Sequence, residues 1–152
     1  HRAWLAALPC GPHLVDDLVE ICHGSPFDED AYIFDELDAL RALKASKRPL
    51  CLFGHTHCPA TFLLTGGELD SRGSAAAADT HIALEEASKY LINPGAVGQP
   101  RDGDPRAAYA IVDVDRKSIE LYRLDYPMET AQAKIIKAGL PEVLAQRLAV
   151  GR

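Results

Sequence analysis

Residues 49–53, Pro-Leu-Cys-Leu-Phe, form an unbroken apolar run of strand length, and Gly54 follows it. A strand that is apolar at successive positions, rather than alternate ones, has to be covered on both faces. The chain is therefore expected to build a layered α/β or α+β fold, with a sheet at its centre and helices packed on it. At 152 residues it is long enough for one domain with a real core, and too short to expect two.

The flanking segments fit that frame. Residues 1–9 carry Trp4, Leu5 and Leu8 on one helical face and stop at Pro9. Asp16 and Asp17 separate two short apolar stretches, Leu14-Val15 and 18–22, as the turn of a strand pair would. Over 28–48, Phe34, Leu37, Leu40 and Leu43 recur at helical spacing and acidic residues crowd the start, which predicts a helix. Strands are expected at 60–64, 80–85 and 89–93, with a loop of small and polar residues over 65–80. Residues 107–124 read as a hairpin turning at Asp115-Arg116-Lys117, and two short amphipathic helices broken at Gly139-Leu140-Pro141 close the chain.

Composition limits the function classes. A net charge of −6 gives no positive field to hold a nucleic-acid backbone, although a metal can supply local charge for a small phosphoester or nucleotide. No apolar run is long enough to cross a membrane. Cys10, Cys22, Cys51 and Cys58 show no C-x-x-C pair; Cys22 and Cys51 sit in apolar stretches as small hydrophobes, which points to a reducing, cytoplasmic compartment. The chain opens at His1 in mid-helix and without methionine, so further sequence is expected upstream.

Three segments share one layout, an apolar strand running into a polar, glycine-containing turn. They are VEICHGSP with His23, CLFGHTHCP with His55 and His57, and YLINPGAVGQPRDGDP with Asn93. Ligands of helix-covered sheets collect beyond the carboxyl ends of the strands, so the three turns are expected to form one site. If 55–57 is extended, His55 and His57 face the same side with Cβ atoms roughly 6–7 Å apart and Thr56 faces away. Two neutral imidazoles so placed suit one divalent transition metal or two neighbouring ones. The plainer alternative is a pair of solvent-facing histidines in a turn.

Taken in order, HGSP, GHTHCP and NPGAVGQPRDGDPRAAYAIVD resemble the calcineurin-like metallophosphoesterase family, nearest to its small bacterial phosphodiesterase and phosphatase branch. The resemblance runs from about Trp4 to the terminal helices and corresponds to a C-terminal half, so that 1–152 is expected to be part of a single domain. It implies a two-sheet β-sandwich flanked by helices, with two divalent ions (Mn, Fe or Zn) at the strand ends. By position, His23 and His55 resemble ligands of the second metal and His57 a ligand of the first. The implied activity is hydrolysis of phosphomonoesters or phosphodiesters.

The family's Asp-x-His, Gly-Asp-x-x-Asp and Gly-Asn-His motifs do not occur here in their proper setting; Asp79-Thr80-His81 follows an alanine-rich loop and reads as coincidence. Three neutral imidazoles do not offset about +4 of metal charge. An N-terminal half, as a separate polypeptide or as part of the parent protein, is expected to complete the site, and the isolated chain is expected to be inactive; the expected partner is that half or a homo-oligomer. A non-catalytic scaffold and a structural single-zinc site are the alternatives. Arg101 is a candidate for a phosphate contact, against a surface ion pair with Asp102 or Asp104. Asn93 is a candidate substrate or second-layer contact, against a structural Asx turn. Cys58 points away from its neighbour His57 on extended chain and is not expected to bind metal.

Overall fold

The computed structural model describes residues 1–72 and 80–152. Six strands form the larger sheet: β1 (His13–Leu14), β2 (Val19–Ile21), β3 (Leu50–Leu52), β4 (Ala60–Thr65), β5 (Glu68–Arg72) and β7 (Ser88–Asn93). Their spatial order is β1-β2-β3-β7-β4-β5. The smaller sheet holds β6 (Thr80–Ala83), β8 (Ala107–Asp113) and β9 (Ser118–Leu124), in the order β6-β9-β8. The helices are α1 (Arg2–Ala6), α2 (Glu36–Ala45), α3 (Met128–Lys137) and α4 (Glu142–Gln146), followed by a 3-10 turn at Arg147–Val150.

The apolar run 49–53 sits where its composition requires. β3 lies between β2 and β7, parallel to both, with Leu50 opposite Val19 and Tyr90. Leu50 points into one apolar layer, where Val19, Tyr90 and Ile92 meet Ile119 and Leu121 of the smaller sheet and Leu84 just beyond β6. Cys51 and Phe53 point into the other, against Ile33, Ala39, Ala42 and Leu43 on the α2 side. The molecule is thus a two-sheet sandwich with a helix on the outer face of the larger sheet. Burying each large side chain such as Leu50, Leu91 or Ile92 contributes about 2 kcal/mol.

Three expectations are corrected. The helix expected over 28–48 forms only at Glu36–Ala45. Upstream, Ser25 Oγ accepts from Asp28 N at 3.0 Å and Asp28 Oδ1 from Asp30 N at 3.0 Å, so short polar side chains divert the backbone into turns. Asp35 then starts the helix, accepting from Asp38 N at 2.9 Å. The buried face is Ala39, Ala42 and Leu43, while Phe34 and Leu37 stand 69% and 73% exposed. Small residues let α2 lie close on the sheet. Lys89 Nζ caps its far end, donating to Leu43 O at 3.1 Å and Ser46 O at 2.8 Å.

Part of the loop expected over 65–80 is a strand: Gly66 and Gly67 turn the chain at positive φ and β5 pairs antiparallel with β4, Thr61 opposite Arg72. The helix expected to run to Pro9 ends at Ala6, so Leu8 lies outside it, and Trp4, Leu5 and Leu8 are at least half exposed. The other elements form where their patterns place them, including the hairpin β8–β9, with Asp113 opposite Ser118.

Candidate metal centre

Because β2, β3 and β7 are adjacent and parallel, their carboxyl ends lie side by side on one edge of the larger sheet. Each runs directly into one of the three polar turns. Backbone and side-chain bonds then tie the turns together: Gly54 N donates to His23 O at 2.8 Å, and Arg101 N to His57 O at 3.1 Å. The shared edge expected from the sequence is therefore formed.

The histidines are not extended, which corrects the reading of His-Thr-His. His55 and His57 have φ of 65° and 59°, in the left-handed region, and Thr56 between them is buried. Each such residue costs about 1–2 kcal/mol, and such strain persists where the surroundings over-determine it. What determines it here is Asn93. This fully buried amide donates to Gly54 O at 3.0 Å and Thr56 Oγ1 at 2.9 Å, and accepts from Gly95 N at 2.8 Å. Its amide is committed to these three partners and fixes the loop, and the Gly95 bond forms the structural Asx turn.

The His23 and His55 rings meet, with His23 Nε2 and His55 Nδ1 at 2.8 Å and ring centroids at 4.6 Å. Two nitrogens on one tetrahedral ion at about 2.0–2.1 Å stand roughly 3.3 Å apart, so this pair is near shared-ligand spacing. His57 faces another way: its Nδ1 lies 2.7 Å from the Gln99 carbonyl. A carbonyl only accepts, so Nδ1 carries the proton and Nε2 keeps its lone pair. Among the described residues, no group of three or more His, Cys, Asp or Glu is placed to hold one ion. The imidazoles fit part of a divalent-metal site; they do not close one, because no carboxylate joins them.

Arg101 is exposed and donates to Gln99 Oε1 at 3.2 Å. Its expected ion-pair partners are engaged elsewhere, Asp104 with Arg106 and Asp102 with Arg123. The Arg106 donors hold Asp104 down to about 2, below the ordinary carboxylate range. Burial pushes the Cys58 thiol up. Cys51 is also raised, through its contact with Cys22 (Sγ–Sγ 3.8 Å) and burial, and all four cysteines are free. His81 is exposed beside Glu120 on the smaller sheet; Asp79, the start of the Asp-x-His spelling, lies outside the described residues.

Two participants were not evident from the sequence. Tyr32 lays its ring on His55 with centroids 4.0 Å apart, and Phe34 stacks on Tyr32 at 5.1 Å. Gly24 makes this fold-back feasible: a Cβ there would lie 2.5 Å from Ala31 O and 2.6 Å from Glu29 O. The other is Thr56, whose place in a His-x-His spacer gave no sign that it anchors the turn.

No family model matches the chain. A solved metallophosphoesterase from Sphaerobacter thermophilus superposes with a TM-score of 0.86 at 36% identity, over 99% of this chain and 61% of that one. A hypothetical protein from Pyrococcus horikoshii shares the fold, with a TM-score of 0.67 at 18% identity over 99% of this chain and 54% of that one. An uncharacterized protein of Methanocaldococcus jannaschii is 44% identical over 103 residues, 68% of this chain and 40% of its own length. The chain therefore spans 61%, 54% and 40% of the lengths of these relatives. Among the described residues no helix is long and apolar enough to cross a membrane.

Proposed function

We propose that this chain, which has the fold of a metallophosphoesterase over nearly its whole length, carries the imidazole half of a dinuclear phosphoester-hydrolysing site. The observation that carries the reading is the meeting of His23 and His55 at 2.8 Å on the edge where three parallel strands end. His23 Nε2 and His55 Nδ1 would share one ion, and His57 Nε2 would reach the other. When bound, divalent ions such as Mn, Fe or Zn polarise phosphoryl oxygens and lower the pKa of an attacking water.

Arg101 stands beside His57 and would pair with a phosphoryl oxygen. Asn93 keeps the histidine turn in shape. Carboxylates have to come from the part of the protein that the longer relatives possess, or from a second chain. The substrate would be a small phosphomonoester, phosphodiester or nucleotide, in a reducing, cytoplasmic compartment. A single structural zinc on all three histidines is disfavoured, because His57 turns to Gln99 and no three-ligand group forms among the described residues.

The test compares two proteins with p-nitrophenyl phosphate and bis(p-nitrophenyl) phosphate in added manganese. The 152-residue chain should show little or no turnover, and a protein extended to the length of its relatives should turn over at least one substrate. Turnover by the chain alone at an ordinary enzyme rate, about 1–10³ s⁻¹, would contradict the proposal. So would an extended protein that binds metal and stays inert, which favours a scaffold.

A further inference from the structure

Residues 94–106 contain three prolines and three glycines and form no regular element, yet two of their backbone groups meet His57. The Gln99 carbonyl accepts a hydrogen bond from His57 Nδ1, and Arg101 N donates to the His57 carbonyl. Backbone bonds tie the segment at Ala96, whose carbonyl accepts from Ala108 N at 3.0 Å, and at Gly103, whose N donates to Gly151 O at 3.0 Å; side chains hold the stretch between. Asp102, next after Arg101, pairs with Arg123 of β9, and the two side chains are 3% and 2% exposed. The other arm of the guanidinium, Nη1, donates to Arg106 O at 3.3 Å, and Nε lies 3.9 Å from Asp104 Oδ2. One side chain thus braces both limbs of the turn between 102 and 106 and anchors them to the smaller sheet.

Taking two charges out of water is expensive, and apolar residues of similar volume often serve stability as well or better. Asp102 Oδ1 is buried with no hydrogen-bond partner, so the pair is not even fully satisfied. Its placement suggests a geometric purpose. We propose that the Asp102–Arg123 pair is a positioning device for His57: it holds the segment so that the Gln99 carbonyl selects the ring tautomer protonated at Nδ1 and leaves Nε2 as a ready lone pair. Asp102 and Arg123 act through the backbone and touch neither substrate nor ion. That Nε2 then binds metal rests on the function proposed above; the tautomer itself does not.

The test is long-range ¹H–¹⁵N spectroscopy of the histidine rings in the 152-residue chain, which reads tautomers without any activity. In the wild type, His57 should be protonated at Nδ1 alone. The double variant Asp102→Leu/Arg123→Met fills the same space without charge, so it should fold while His57 becomes a tautomer mixture. Zn²⁺ added alone should then bind at His57 some 10–100-fold more weakly, the usual effect of losing an outer partner of a ligand. Arg123→Lys keeps the charge and one contact and should give an intermediate mixture; it also serves should the double variant not fold. A folded variant in which His57 stays wholly Nδ1-protonated would overturn the proposal, as would a wild type with another tautomer. If the tautomers behave as expected but Zn²⁺ leaves the His57 signals unmoved, the metal reading fails and the positioning role stands.

Discussion

The two halves of the candidate centre satisfy their imidazoles in different ways. His23 and His55 hold each other, ring to ring at 2.8 Å, on the exposed side of the turns. Under the proposed function, an ion shared by these two nitrogens would take the place of that bond, the bridging proton moving to the far nitrogen of its ring. His57 is held by a backbone carbonyl in a segment braced by a buried ion pair, so its geometry is set before any ion arrives. One half is adaptable and the other preset. Both hang on the same buried amide, Asn93.

That shared dependence gives the largest expected effect. Asn93→Leu would take the Asn93 partner from Gly95 N, and one of their partners from Gly54 O, which keeps Thr56 N, and from Thr56 Oγ1, which keeps Cys58. It should lower stability by about 3 kcal/mol, read as a shift in the urea midpoint at constant slope. A loss below about 1 kcal/mol would mean that the two halves are not joined through it.

Gly24→Ala probes the adaptable half alone. The added methyl meets two backbone carbonyls at 2.5–2.6 Å and should cost about 2 kcal/mol. It should also shift the His55 ring signals, which lie under Tyr32, and leave those of His57 in place. Equal shifts at both would erase the distinction.

Acid tests the preset half. Arg106 favours the ionised form of Asp104, so the folded protein releases that proton more readily than the unfolded chain does. The stabilisation is complete above the unfolded value of 3.8 and is lost as pH falls toward about 2. Asp104→Asn should remove that part of the acid limb from a pH series of unfolding midpoints; an unchanged limb would contradict the pairing.

The smallest effect is a reversal of sign. Glycine is ordinarily less stable than alanine, but at φ 65° His55→Gly should be more stable than His55→Ala, by about 1 kcal/mol. The ordinary order would show that the residue leaves the left-handed region once its imidazole is gone.

Much of this was readable from periodicity. An all-apolar 49–53 required cover on both faces, and the three strand-to-turn segments shared an edge because parallel strands end together. What was not readable depended on tertiary partners. Nothing local to Phe34 and Leu37 shows that the sheet meets Ala39 and Ala42 instead, because how closely a helix approaches depends on what it packs against. The left-handed turn of His-Thr-His is imposed by Asn93, 37 residues beyond Thr56, and an extended reading was the natural one without that bond. Asn93 ends β7 and is fully buried, and nothing local to its sequence shows that burial. Arg123 looked like an ordinary strand residue, and only the sheet packing brought it to Asp102.

The central claim, that three strand ends deliver a metal-binding set of imidazoles, is tested most directly by titrating the chain with sub-stoichiometric Mn²⁺ and following all six histidine rings by NMR. Paramagnetic broadening reports distance from the ion, and His81, on the smaller sheet, serves as the internal control, while His13, opposite Ile21, lies near His23. The account predicts that His23 and His55 broaden first and together, then His57, while His81 stays sharp. Broadening led by His1, His13 or His81, or spread evenly over all six, would contradict it.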